Sequence, residues 1–172
     1  MKHHRLRALR TVVAGLATLL IVVAGPATSA SAAPTYWTYQ SKYNFACLTA
    51  SADSTKVFTD TCQGWHAQDW DWVGPANSYG QHQLKSRTRG LCLTTDDKSD
   101  RNAIWLSSCG GKVGQYWDND MPQVLFSAVA FGSNSLRISP GYSSVYSSDM
   151  VTDKDRHGIP YEAHYWWASA HS

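Results

Sequence analysis

Short apolar runs, each closed off by a polar or turn-forming stretch, follow one another along this chain, and their order returns. Ala46-Cys47-Leu48-Thr49-Ala50 corresponds to Leu91-Cys92-Leu93-Thr94-Thr95, and a Ser- and Asp-rich stretch follows each, at residues 51–56 and 96–102. Such polar clusters between apolar runs are turns. Val57-Phe58-Thr59-Asp60-Thr61-Cys62 then matches Ile104-Trp105-Leu106-Ser107-Ser108-Cys109. Both are rich in β-branched or aromatic residues and bounded by turns, which predicts strands. Loops at 63–67 and 110–114 lead into Gln68-Asp69-Trp70 and Gln115-Tyr116-Trp117, and a further strand must carry each Trp.

A third copy is degraded but keeps the order. Leu136-Arg137-Ile138 stands where Cys-Leu-Thr stood, followed by Val145-Tyr146, a polar turn over 147–158 and His164-Tyr165-Trp166-Trp167. The three Trp motifs are spaced 47 and 49 residues apart. Self-similarity at that period means three copies of one supersecondary unit, none able to bury its apolar face alone. The units span about residues 36–80, 81–124 and 125–172. No 3.6-residue apolar stripe predicts an amphipathic helix within them. The prediction is all-β, with residues 34–42 leading into the first strand.

The first 32 residues lie outside this pattern. Lys2, Arg5, Arg7 and Arg10 precede an apolar run over 11–25, and Ala30-Ser31-Ala32 then offers a small-x-small cleavage site. That order is a secretory signal peptide, cleaved after Ala32, and the run is too short for a comfortable membrane span. Its removal changes the charge: of the chain's 15 basic residues four lie in the leader, leaving eleven against 13 acidic, near −2 rather than +2. A mildly acidic domain has no nucleic-acid or anionic-membrane footprint. Residues 33–172 suffice for one domain.

Export agrees with the four cysteines, all in the mature chain. They allow three connectivities, but each of the first two units carries its own pair, which favours Cys47 with Cys62 and Cys92 with Cys109. Zinc is the rival reading, and it wants close C-x-x-C pairs that are absent. Eight Trp and nine Tyr are many for such a chain, and each combines an apolar face with a polar handle suited to recognition.

These residues resemble the ricin B-type lectin family, whose β-trefoil domains carry Cys-Leu near the start and Gln-x-Trp near the end of each of three lobes. The resemblance covers nearly all of residues 33–172, with the third repeat degenerate. It implies that Trp70, Trp117 and, by position, Trp166 pack in a shared core, with Gln68 and Gln115 bonding local backbone. In the family's galactose-binding lobes an Asp sits two residues after the first Cys, an aromatic two before the second, and an Asn just before the Gln. Those positions here hold Thr49, Asp60 and Ala67 in the first lobe and Thr94, Ser107 and Gly114 in the second. A carboxylate accepts charge-assisted bonds from sugar hydroxyls and an aromatic stacks on the sugar's C–H face. Losing the charged bond costs about 1–3 kcal/mol, a large share of the roughly 4 kcal/mol behind a millimolar site.

Any sugar site is therefore atypical. Candidates are Thr94, Asp97, Asn102, Trp105 and Gln115 in the second lobe and Thr49, Asp53 and Trp65 in the first. The bland reading makes Asp96, Asp97 and Asp100 a solvated turn, Trp105 a core residue and Trp65 a plug over the barrel end. Tyr142, Tyr146, Tyr161, Tyr165 and Trp167 make the third unit aromatic, either as a glycan platform, a protein-contact patch or compensation for the missing disulfide.

Catalytic signatures are absent: no H-E-x-x-H, no G-x-S-x-G and no phosphate-cradling glycine loop. His66, His82, His157, His164 and His171 show no i, i+4 pairing, so no metal or cofactor is expected. Asp69 and Asp71, or Asp118 and Asp120, flank the core Trp as turn or strand-edge groups rather than a glycosidase pair. The expectation is a secreted, non-enzymatic protein whose partner is carbohydrate, bound weakly by several lobes together, with a protein-interaction or inhibitor module as the alternative.

Overall fold

A computed structural model describes residues 35–119, 121 and 123–172. The leader and its cleavage site lie outside the described residues. Each repeat folds into four strands. The first contributes β1 (Tyr36–Ser41), β2 (Cys47–Ala50), β3 (Val57–Asp60) and β4 (Trp70–Val73). The second contributes β5 (His82–Ser86), β6 (Cys92–Thr95), β7 (Asn102–Ser107) and β8 (Tyr116–Asp118). The third contributes β9 (Phe126–Ser127), β10 (Asn134–Ile138), β11 (Val145–Asp149) and β12 (Trp166–His171).

The outer strands of each repeat build a barrel. β1 pairs β4, β4 pairs β5, β5 pairs β8, β8 pairs β9 and β12 pairs β1, all antiparallel. The wall closes where the Trp166 N–H donates to the Gln123 carbonyl at 2.7 Å. The inner strands form three hairpins, β2–β3, β6–β7 and β10–β11, in matching register: Cys47 faces Asp60, Cys92 faces Ser107 and Ser135 faces Ser148. The hairpins meet one another through the Lys56–Trp105, Phe58–Ser144 and Tyr146–Ala103 bridges. A six-stranded barrel capped by three hairpins is a β-trefoil.

Trp70, Trp117 and Trp166 are fully buried in one core. A buried indole needs a partner for its N–H. Each finds the same one, donating to the carbonyl of Leu48, Leu93 and Leu136 at 3.1, 3.0 and 2.9 Å. These bonds correct the alignment of the third repeat by one residue: Ser135-Leu136-Arg137, not Leu136-Arg137-Ile138, stands where Cys-Leu-Thr stands elsewhere. β10 is buried at all five residues, so no alternation of buried and exposed positions marks its register, although a one-residue slip turns every side chain to the opposite face.

The disulfides join Cys47 to Cys62 and Cys92 to Cys109, one within each of the first two lobes. Beside them Gln68 donates to the Thr61 carbonyl at 2.8 Å and accepts the Gln63 N–H at 2.9 Å. Gln115 repeats this with the Ser108 carbonyl and the Gly110 N–H.

The polar turn expected over 147–158 is wrong. Residues 147–149 end β11, and Met150–His157 form an α-helix, α1. Asp149 caps it, accepting the Thr152 N–H at 2.7 Å, and Gly158 ends it in the left-handed conformation. Caps of this kind define a helix without an apolar stripe. Only Asp153 on α1 is buried, so there was no hydrophobic period to detect.

Candidate functional site

The hairpin register identifies the three lobe positions at which a ricin-type site would form: Thr49, Asp60 and Ala67; Thr94, Ser107 and Gly114; and Arg137, Ser148 and Ala163. In the first lobe Thr49 is buried, donating to the Cys47 carbonyl at 2.8 Å and accepting from Gln68 at 3.3 Å. In the second, Thr94 is buried against the Cys92 carbonyl and the Ser107 hydroxyl. Gly114 packs directly on the β6 backbone, where an added Cβ would clash with the Thr95 carbonyl oxygen. No asparagine fits there, and the Thr at the first position of both lobes is buried, while Asp60 and Ser107 are half-buried.

The third lobe is filled by a buried charge cluster. Arg137 Nε lies 2.5 Å from Asp153 Oδ2, Ser148 donates to the same oxygen, and His164 Nε2 lies 3.3 Å away. His164, at the position of Gln68 and Gln115, is hydrogen-bonded through Nδ1 to Ser135 Oγ at 2.8 Å. Burial pushes the Asp153 carboxyl up, but the contacts from His164, Ser148 and Arg137 outweigh it and hold it below its ordinary value. Burial dominates at His164 and pushes the imidazole down despite Asp153.

Both shifts act in the same direction on stability. A histidine whose folded pKa is depressed takes up its proton more readily in the unfolded chain, so stability is full above about pH 6.5 and falls below it. The depressed Asp153 adds a further loss at more acid pH, as it protonates. The melting temperature is therefore expected to decline from about pH 7 to about pH 5, and His164→Gln, which restores the residue of the other two lobes, is expected to flatten that decline. Calorimetry across the pH series checks this; a wild-type curve that is level over the window means His164 is not held neutral.

Four sequence-based candidates thus turn inward and satisfy buried polar groups: Thr49, Thr94, Asn102 and Gln115. Asn102 is buried and its Oδ1 accepts the N–H groups of Lys98 and Ser99 at 2.8 and 2.9 Å, fixing the β6–β7 turn. Gln115 is consumed by Ser107, Ser108, Gly110 and Gln83. Polar type alone does not distinguish a ligand-binding side chain from one that satisfies buried backbone. Trp105 is half-buried on the hairpin cap beside Lys56. Asp53 is exposed and accepts from Ser51 at 2.7 Å, which holds its carboxyl below its ordinary value. Trp65 is 49% exposed.

Asp97 remains, and it lies in a groove that the sequence did not reveal. Tyr79, Gln81, Asp97, Val113, Asp118 and Val129 line a space of about 620 Å³. They come from the loop before β5, the β6–β7 turn, the turn before β8, β8 itself and the segment after β9. Asn77 shapes one wall: its Oδ1 accepts the N–H groups of Tyr79 and Gln81 at 2.9 and 3.0 Å, and its Nδ2 donates to Gln81 Oε1. Gln81 in turn donates to Asp118 Oδ2 at 2.7 Å. Asn134 approaches Asp97 Oδ1 at 3.5 Å. Two carboxylates oriented by amides, with Tyr79 81% exposed at the margin, offer hydroxyl acceptors and an aromatic face together. Asp69, by contrast, is buried against Arg87 at 2.9 Å.

No protein-family model matches the sequence, and no curated protein matches it. Solved structures do match the fold. The β-trefoil lectin of the Vibrio vulnificus hemolysin/cytolysin, solved with N-acetyl-D-lactosamine bound, aligns with TM-score 0.59 and 19% identity over 83% of this chain and 98% of its own. The Macrolepiota procera ricin B-like lectin, in complex with lactose, gives 0.58 and 14% over 83% and 99%. A GlcNAcα1-4Gal-releasing endo-β-galactosidase from Clostridium perfringens gives 0.61 and 12% over 79% of this chain, which spans only 32% of that enzyme. At these identities the likeness establishes the β-trefoil fold shared with ricin B-like lectins.

Proposed function

We propose that this chain is an exported, non-catalytic carbohydrate-binding protein of lectin type, with residues 33–172 as its mature domain. Its ligand lies in the Asp97–Asp118 groove rather than at the three lobe positions. The observation that carries this reading is the convergence of Asp97, Asp118, Gln81 and the exposed Tyr79 on one groove, while Thr49, Thr94 and Arg137 are sealed into their lobes. Export is supported by the two disulfides, which persist in oxidising compartments. With this groove in place of three equivalent lobe sites, binding there does not depend on three lobes acting together.

Retention of the oxidised protein on a panel of immobilised glycans and insoluble polysaccharides, with competition by free sugar, tests the proposal. Asp97→Asn is expected to weaken binding about tenfold or more, the equivalent of one charged hydrogen bond, and Tyr79→Ala by a similar factor through lost stacking. Both sites are at the surface, so melting temperatures should hold. Binding that ignores both substitutions removes the groove from the account. A blank across the panel by folded protein supports the alternative, a protein-interaction or inhibitor module, which the closed lobe positions favour.

A further inference from the structure

The turn between β1 and β2 and the turn between β5 and β6 are the same turn in two lobes. Ser41 N–H donates to the Ala46 carbonyl at 2.8 Å and Phe45 N–H to the Ser41 carbonyl at 3.0 Å. In the second lobe Ser86 and Gly90 donate to the Leu91 and Ser86 carbonyls at 2.9 and 2.8 Å. Both turns place one residue in the left-handed region, at φ 60° and 62°. The second lobe uses Gly90 there, the residue that meets this conformation without steric cost. The first uses Phe45, for which the conformation is strained.

The core gains nothing from that strain, because the Phe45 side chain is 61% exposed. It stacks on Trp167, itself 41% exposed, with ring centroids 5.8 Å apart and planes 27° from parallel. Lys42 Nζ lies 5.5 Å from the Trp167 ring centroid and 5.6 Å from that of Tyr165. Among the described residues no carboxylate pairs with it. The whole is held rigidly: Lys42 N–H donates to the Tyr165 carbonyl at 2.9 Å, Gln40 Nε2 donates to the Phe45 carbonyl at 2.8 Å, and Gln40 faces Trp167 across the β1–β12 ladder. Trp167 also lines a cavity of about 300 Å³ with the exposed Asn119 and Gln123.

Backbone strain retained at an exposed aromatic is a mark of a functional surface. We infer that Phe45, Trp167 and Lys42 form a second ligand site, separate from the Asp97 groove, that binds an acidic saccharide. The stacked rings take the C–H face of a sugar and the unpaired ammonium takes its carboxylate. Asn119 and Gln123 supply amides to a neighbouring sugar unit.

Calorimetry and Trp fluorescence on the oxidised protein, titrated with trigalacturonic acid and with neutral maltotriose, test this. Trigalacturonic acid is expected to bind and shift Trp emission, with maltotriose at least tenfold weaker. Phe45→Gly, which gives the first lobe the residue of the second, should hold or raise the melting temperature while weakening trigalacturonic acid binding at least tenfold. Lys42→Gln should abolish the preference for the acid, and Asp97→Asn should leave this binding unchanged, so that failure of the groove and failure of this site are distinguishable. The inference is overturned if neither probe binds, if both bind equally, if Phe45→Gly binds normally or melts lower, or if Asp97→Asn removes the signal.

Discussion

Asp153→Ala is expected to lower the stability of the fold by about 3–5 kcal/mol, the cost of leaving a buried charge without its partner. The stranded charge is Arg137, 3% exposed in its side chain, whose Nε lies 2.5 Å from Asp153 Oδ2. Arg137 also donates to Ser148 Oγ at 2.7 Å and to the Ile138 carbonyl at 3.0 Å, but these neutral acceptors do not balance a guanidinium. Burial lowers the pKa of Arg137, yet an arginine side chain does not shed its proton in a protein, so it has no route to neutrality. Urea unfolding measures the loss. The paired change Arg137→Met with Asp153→Leu is expected to recover most of it, since an apolar pair of similar volume removes both desolvation penalties. A single-variant loss below about 1 kcal/mol would mean the cluster is hydrated and does not anchor the third lobe.

Reduction of both disulfides is the other large effect. Cys47–Cys62 and Cys92–Cys109 close loops of 15 and 17 residues. Each is worth about 3 kcal/mol in the chain-entropy model, so the pair contributes about 6 kcal/mol of a total that in domains of this size is commonly about 5–15. The melting temperature of the reduced protein is expected about 20 °C below that of the oxidised protein. Scanning calorimetry with and without reductant checks this, and paired Cys→Ala changes in each lobe divide the loss between them. A drop of only a few degrees would mean the aromatic core holds the first two lobes without covalent help.

These two results concern one structural problem with two solutions. The first and second lobes tie β2 and β6 to the loops after β3 and β7 through sulfur, beside a buried glutamine. The third lobe has Ser135 where the first cysteine stood and His164 where the glutamine stood, and fastens the same place through Ser135, Arg137, Ser148 and Asp153. Its divergence in sequence is a change of fastening chemistry within an unchanged register, with α1 added to carry Asp153.

Much of the fold was legible because its signals are local or periodic. The Cys-Leu and Gln-x-Trp motifs recur at a spacing that only three stacked units explain, and each cysteine pair lies within a single repeat. Less was legible at α1, where capping by Asp149 and Gly158 replaces an apolar stripe, and at residues 135–137, where a strand buried on both faces gives no alternation to fix its register. The candidate site was the least legible. Of eight residues chosen for their chemistry, Thr49, Thr94, Asn102 and Gln115 satisfy buried polar groups, and only Asp97 lines the groove.

The three-lobed all-β architecture, the assignment of cysteines to lobes and the three core indoles follow from the chain alone, because each depends on residue identity at fixed spacing. Which polar side chains meet solvent is set instead by the packing of distant stretches in the folded chain. The groove draws Tyr79, Asp97, Asp118 and Val129 from stretches joined by long-range strand pairing, and residue type does not say whether an oxygen is already taken. The folded chain also holds Phe45 in a left-handed turn, because the closing bonds of that turn, and not the preference of phenylalanine, set its backbone angles.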